Sequence, residues 1–266
     1  MDENQIILID KPAGISSFGV VAKVRGRLKE EFDHKVKVGH TGTLDPFATG
    51  LLILLSGKMT KKSNEFLKLD KEYIATIKLG YVSTTGDPEG EITEITFPEP
   101  SEAFPEEKDE NCTQKTKFTK IEEHKGKICQ GQILAAEGAK QCDKISDLSH
   151  CEASEISEFC QTFVGKITQT PPRFSAIKIN GQRAYKLARE GKDFEIPSRQ
   201  VEIYSIEILD YNYPELKIKV HCSSGTYIRT LAEDIGKALG IGAYLTALRR
   251  IKIGSYDVRG AKQLVL

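Results

Sequence analysis

The sequence predicts an α+β fold in which a mixed, mostly antiparallel central sheet is flanked by helices. Three observations carry this. Tyr73 to Leu79 has the alternating pattern of a half-buried strand, Tyr-Ile-Ala-Thr-Ile-Lys-Leu, and stops at Gly80. Two further strand signals, Val201 to Leu209 and Leu216 to Cys222, follow one another closely. After the second, Ser223-Ser224-Gly225-Thr226 makes a turn, and Ile228, Leu231, Ala232, Ile235, Ala238 and Leu239 recur at helical spacing.

The elements follow in order. Ile6 to Ile9 is a short apolar run ending at Asp10-Lys11-Pro12-Ala13-Gly14, a strand entering a turn because Pro and Gly punctuate it. A helix follows: Ser16 or Ser17 caps it, and Val20, Val21 and Val24 form an apolar stripe before the basic stretch ending at Lys29. Residues 99–162 differ in texture. Pro98, Pro100 and Pro105 open the stretch, and charges, Ser and Cys follow with few aromatics. It reads as an insertion whose Glu/Asp/Lys-rich opening is expected to be disordered, and whose residues 145–163 are expected to form a helix leading back to the fold. The expected organisation is one domain in two parts, 1–98 and 163–266, interrupted by 99–162.

Composition describes a soluble globular chain, 39% apolar and 29% charged. The longest apolar run, Leu51 to Leu55, is far short of the roughly 20 residues that span a bilayer, so no membrane association is expected. The start, Met1-Asp2-Glu3-Asn4, lacks a secretory pattern, and the expected compartment is the cytoplasm. There the six cysteines are expected as free thiols. The 38 basic and 38 acidic residues cancel. That average hides an asymmetry: residues 99–163 carry 14 acidic and 8 basic side chains, which leaves the remainder at net +6, compatible with binding phosphates. The insertion holds Cys112, Cys129, Cys142, Cys151 and Cys160 without any Cys-x-x-Cys pair, so no metal site is expected.

Val38-Gly-His-Thr-Gly-Thr-Leu-Asp-Pro-Phe-Ala-Thr-Gly50 has three glycines in 13 residues and an aspartate directly before proline. It is a shaped loop. Pro46 pushes Asp45 toward extended geometry, and Gly39 and Gly42 permit conformations or close approaches that a side chain would prevent. An Asx-type turn leading into the apolar run at Leu51 fits the same residues, and spacing alone does not decide between turn and active site.

The segment resembles the most specific signature of the TruB family of tRNA pseudouridine synthases. Four more segments match in order: Asp10-Lys11-Pro12-Ala13-Gly14 with Ser17; Lys71-Glu72-Tyr73; Gln169-Thr-Pro-Pro-Arg-Phe-Ser-Ala-Ile-Lys178 with Gly181 and Tyr185; and Gly225-Thr-Tyr-Ile-Arg229 followed by Leu248-Arg249-Arg250. The resemblance implies the pseudouridine synthase fold and conversion of uridine 55 in the TΨC loop of tRNA, without cofactor or metal. It makes Asp45 the nucleophile. A carboxylate in an apolar pocket has its pKa raised by desolvation, so a cation must offset this, and Arg229 is the matching position. By the same resemblance Tyr73 stacks on the flipped uracil and His40 supports the RNA loop that the base has left. Asp87 matches an aspartate near the pocket, although Thr84 departs from the usual pattern of that loop. Tyr227 and Leu248 are expected as pocket walls and Lys11, with Pro12, as a loop-positioning or substrate-side residue. Arg249 and Arg250 would touch phosphates or cap a helix end. Arg173 and Lys178, with Arg183, Lys186 and Arg189 on one helix face, would contact phosphates or form a solvated face.

The expected partner is the TΨC arm of tRNA, and the chain is expected to be a monomer. No room is expected after the last strand-like stretch for the full PUA-type domain common in the family, which fits either a short form or an incomplete sequence. Two readings compete: a related synthase acting on another RNA or through a guide RNA, against which the missing domain and basic tail argue, and a non-catalytic RNA-binding protein on the same fold.

Overall fold

A computed structural model describes residues 2–95, 152–179 and 181–264. β1 (Ile6–Lys11) turns at Pro12 into α1 (Ser17–Phe32). Ser16 caps this helix, its hydroxyl oxygen accepting from the Gly19 amide at 3.1 Å, and Asp33 ends it in the left-handed region at φ 57°. There follow β2 (Val38–His40), β3 (Thr49–Ser56), α2 (Ser63–Leu67), β4 (Lys71–Leu79) and the hairpin of β5 (Tyr81–Ser83) with β6 (Ile92–Glu94). The chain resumes with α3 (Ala153–Gln161), β7 (Gly165–Gln169), a small hairpin of β8 (Lys178–Ile179) and β9 (Gln182–Arg183), and α4 (Ala184–Arg189). It ends with β10 (Arg199–Asn212), β11 (Glu215–Cys222), α5 (Ile228–Ala238), β12 (Ala243–Ile253), β13 (Tyr256–Asp257) and β14 (Lys262–Gln263).

One large sheet runs β14-β1-β3-β12-β4-β11-β10-β7, with β2 beside β3 and β13 beside β12. Only β1 with β14 and β3 with β12 are parallel among its described pairs; the rest are antiparallel. Because β4 pairs with both β11 and β12, the chain before the insertion and the chain after it build one sheet. The segment that positions the site is the central β3. Its residues from Gly50 to Ser56 are buried, and strand alternation divides them between two cores. Leu52 and Leu54 pack with Val20, Val21 and Val24 of α1, whereas Leu51, Ile53 and Leu55 pack with Phe66 and Ile253. On β4 the buried set is Tyr73, Ala75, Ile77 and Leu79, clustered with Leu231, Ala232 and Ile235 of α5.

Several expectations shift. The helix expected over 145–163 is found as α3, Ala153–Gln161, capped by Glu152; positions 145–151 of the expectation, like the opening of the insertion, lie outside the described residues. Arg249 and Arg250 lie inside β12 and cap no helix. Of the insertion's cysteines only Cys160 is described; it is buried in the core, which pushes its thiol up to about 12. No described helix is long and apolar enough to cross a membrane.

Candidate active site

The loop between β2 and β3 is held by backbone contacts from three directions. Ser17 at the start of α1 bridges Leu44: its hydroxyl accepts from the Leu44 amide at 2.8 Å and donates to the Leu44 carbonyl at 2.9 Å. The Pro46 carbonyl accepts from the Gly14 amide at 2.9 Å and from Lys11 Nζ at 3.1 Å. Arg250, fully buried on β12, donates to the carbonyls of Leu51 (2.8 Å), Gly42 (3.1 Å) and Thr43 (3.4 Å). Gly50 allows this closeness. It sits at φ 103°, and a Cβ there would overlap the Arg250 carbonyl oxygen and lie 2.8 Å from the Arg250 nitrogen. Asp45 thus projects from a platform whose neighbouring carbonyls are all tied down.

Its partner comes from the first turn of α5. Arg229 Nε lies 3.2 Å from Asp45 Oδ2, and Nη1 lies 2.9 Å from Asp87 Oδ2. Nη1 also donates to the Thr85 carbonyl at 3.0 Å, and Nη2 to the Phe174 carbonyl at 2.8 Å. Arg229 and Asp87 are buried, and a buried ion pair persists only when its remaining hydrogen-bonding capacity is met. Asp87 meets its share by accepting from Thr85 Oγ1 at 2.6 Å and from the Glu89 amide at 3.0 Å. The Asp45 side chain keeps 32% of its exposure, so it is the open end of the Asp87–Arg229–Asp45 chain.

Asp45 and Arg229 line a pocket of about 340 Å³ together with Tyr73, Tyr227, Leu44 and Leu248. Burial pushes the Asp45 carboxyl up and the Asp87 charge adds to this, against the pull of Arg229, Lys11 and Arg250. Burial likewise pushes the Tyr73 phenol up. A carboxylate flanked by two aromatic rings and two leucines can hold a flat heterocycle and present a nucleophile to it. A second cavity, about 410 Å³, is walled by Thr85, Phe174, Arg173 and Glu233 and does not include Asp45.

The structure thus gathers Asp45, Arg229, Tyr73, Tyr227 and Leu248 in one pocket, with Asp87 behind Arg229. The other candidates lie elsewhere. Lys11 is fully buried and gives its three protons to the carbonyls of Pro12, Ile15 and Pro46, so it shapes the loop and is no substrate-facing cation. Burial lowers its pKa to about 8. His40 ends β2 with its Nδ1 buried and unpartnered; burial, then the charges of Arg250 and Arg183, hold the ring below its ordinary pKa and therefore neutral at pH 7. Arg173 donates to the Lys192 carbonyl at 2.9 Å and pairs with Asp193 at the second cavity. Lys178 is exposed on the β8–β9 hairpin. Arg249 pairs with Asp10 through its two terminal guanidinium nitrogens, at 2.7 and 3.1 Å.

Sequence reasoning missed Arg250 as a scaffold of the loop, and it missed Arg199, which lines the pocket from the start of β10. A signal for the first existed: adjacent residues on a strand face opposite sides, so Arg249 and Arg250 could not share one role.

Residues 29–123 and 111–228 match the family described as TruB family pseudouridylate synthase (N terminal domain), and residues 229–265 match the tRNA pseudouridylate synthase B C-terminal domain. That last match covers α5 from its second residue and the strands β12 to β14, which belong to the central sheet. The chain is 39% identical over 258 residues to the tRNA pseudouridine synthase B of Phocaeicola vulgatus, covering 97% of this chain and 88% of the relative. It is also 39% identical to that of Francisella philomiragia, covering 98% and 68% respectively. Among solved structures, a chain of a Cbf5-Nop10-Gar1 complex superposes with a TM-score of 0.58 at 24% identity, over 98% of this chain and 53% of that one, and shows the shared fold. The chain belongs to the TruB family of pseudouridylate synthases.

Proposed function

We propose that this chain converts uridine 55 in the TΨC loop of tRNA to pseudouridine, with Asp45 as the nucleophile acting on a base flipped out of the loop. The relatives named tRNA pseudouridine synthase B at 39% identity over nearly the whole chain support tRNA as the substrate. The observation that carries the assignment of roles is the 3.2 Å contact between Arg229 and Asp45 at the wall of a pocket lined by Tyr73.

The reaction breaks the N1–C1′ bond, turns the uracil and forms C5–C1′; the proton lost from C5 is matched by one taken up at N1, so the product is an isomer and no change of oxidation state is needed. Asp45 attacks either the sugar C1′ or the base C6 and is expelled when the new bond closes. Arg229 keeps the carboxylate ionised and aimed; its own position is fixed by Asp87 and by the Thr85 and Phe174 carbonyls. Tyr73 gives the extruded uracil the stacking face it loses on leaving the loop, a loss of a few kcal/mol.

The test is Asp45→Asn on a tRNA transcript. Expected is a loss of pseudouridine formation of at least about a thousandfold with tRNA binding retained, because the isosteric amide keeps the pocket and removes the nucleophile. Pseudouridine is read by chemical modification and primer extension. A wild-type protein that binds the transcript without modifying it would leave the RNA-binding reading in its place; a D45N protein that still modifies it would remove Asp45 as the nucleophile and leave the activity to another group.

A further inference from the structure

Three arginines line the Asp45 pocket, and their charges are used differently. Arg229 faces two carboxylates. Arg250 is buried, with its donors on three backbone carbonyls. Arg199 is half-buried and meets no carboxylate among the described residues. Its guanidinium lies over the Tyr227 ring at 4.7 Å and one of its amino groups donates to the Gly225 carbonyl. Only part of its donor set is therefore engaged.

The rim around it is built rigidly. Arg199 pairs in register with Gln169 across β10 and β7, and Gln169 is buried. The Gln169 amide grips Tyr227 from both sides, donating to its carbonyl at 3.2 Å and accepting from its backbone amide at 3.0 Å. The Arg199 Nε is buried without a hydrogen-bond partner among the described residues, which leaves Nη1 uncommitted: a cation over a fixed aromatic ring at the edge of a nucleotide-sized pocket, with that one donor to spare, suits a single phosphate oxygen. A base that enters the pocket brings its flanking phosphates to this rim. We propose that Arg199 clamps one of the two phosphates adjoining the flipped uridine, which fixes the backbone while the base turns beneath it. This rests on the reading of the pocket as the seat of uridine 55.

The experiment uses the full chain and T-arm RNAs in which the phosphate 5′ or 3′ of uridine 55 is replaced by a neutral methylphosphonate. With wild-type protein one of the two is expected to bind about tenfold more weakly than the parent, the scale of one charge-assisted hydrogen bond. Arg199→Gln should bind the parent RNA about tenfold more weakly and be indifferent to that methylphosphonate. Its salt slope should be smaller by about 0.7 to 0.9, while Arg199→Lys keeps the slope. Wild-type binding that ignores both methylphosphonates overturns the proposal, whether or not R199Q folds. So does an R199Q protein with an unchanged slope. If the parent RNA is bound but no pseudouridine forms at position 55, the functional reading falls first and takes this one with it; if pseudouridine forms and the phosphates have no effect, this inference alone falls.

Discussion

The two walls of the pocket are built on opposite plans. The Asp45 wall is interior structure: buried Lys11, Ser17 and Arg250 tie the carbonyls around the loop, and β3 behind it is buried along nearly its whole length. The facing wall, residues 170–194, rests on short elements, a hairpin of two-residue strands and the six-residue α4, flanked by exposed Arg173 and Asp193. Its hydrogen bond to the Asp45–Arg229 pair is the one the Phe174 carbonyl accepts from Arg229, and Ser175, Ala176 and Ile177 line the pocket beside it. The contrast teaches a division of labour. A nucleophile must be held to within a fraction of an ångström, which takes buried, fully bonded backbone. A surface that admits a folded RNA gains from a low cost of local adjustment.

The sharpest way to break this contrast is Gly50→Ala. It places a Cβ against the Arg250 backbone at a φ that only glycine adopts freely, inside a strand pair with no room to move. Expected is a loss of roughly 3 kcal/mol or more in a denaturant titration, with activity falling in step as the loop shifts. A variant with wild-type stability and activity would show that the platform is far softer than its hydrogen bonds suggest.

The next effect is on pH dependence and concerns the join between the walls. Asp45 must be ionised to attack, and burial holds its pKa above the ordinary 3.8, with the Asp87 charge as a second upward push. The acid limb of kcat/KM should therefore lie above the usual aspartate range. Asp87→Asn removes one repulsive charge and leaves Arg229 undivided; both changes lower the Asp45 pKa, so the limb moves to lower pH. The plateau also drops, because Arg229 loses an anchor. A limb that stays or rises would mean that Asp45 is not the group that titrates, or that Asp87 does not act through Arg229.

Much of the Asp45 wall was legible in the sequence. Alternation and apolar runs marked β4, β10 and β11, since those patterns express burial directly. Proline and glycine marked the loop as shaped. What stayed hidden were pairings between distant segments. Arg229 meets Asp87 across 142 positions and Arg249 meets Asp10 across 239, separations over which spacing carries no information. Lys11 was left between loop-positioning and a place beside the substrate for a related reason: a lysine is normally exposed, and only the tertiary convergence of three carbonyls makes its burial tolerable. The sheet order, with β12 between β3 and β4, had no local signal either.

The smallest expected effect belongs to the facing wall and separates its stability from its binding. Arg173 is exposed and its ion-pair partner Asp193 is fully so, which leaves the pair screened by solvent and of little weight for stability; Lys178 is exposed on the hairpin. Replacing both by alanine should leave the denaturation midpoint nearly unchanged, within about 0.5 kcal/mol. If this wall is the one that tracks the RNA backbone, the same double variant should flatten the dependence of tRNA affinity on salt by about 1.4 to 1.8 in slope, the sum for two phosphates. An unchanged slope would make these cations a solvated face and leave Arg199 to hold the phosphate alone. A large loss of stability would mean that the facing wall is as deeply built as the Asp45 wall, against the contrast drawn between them.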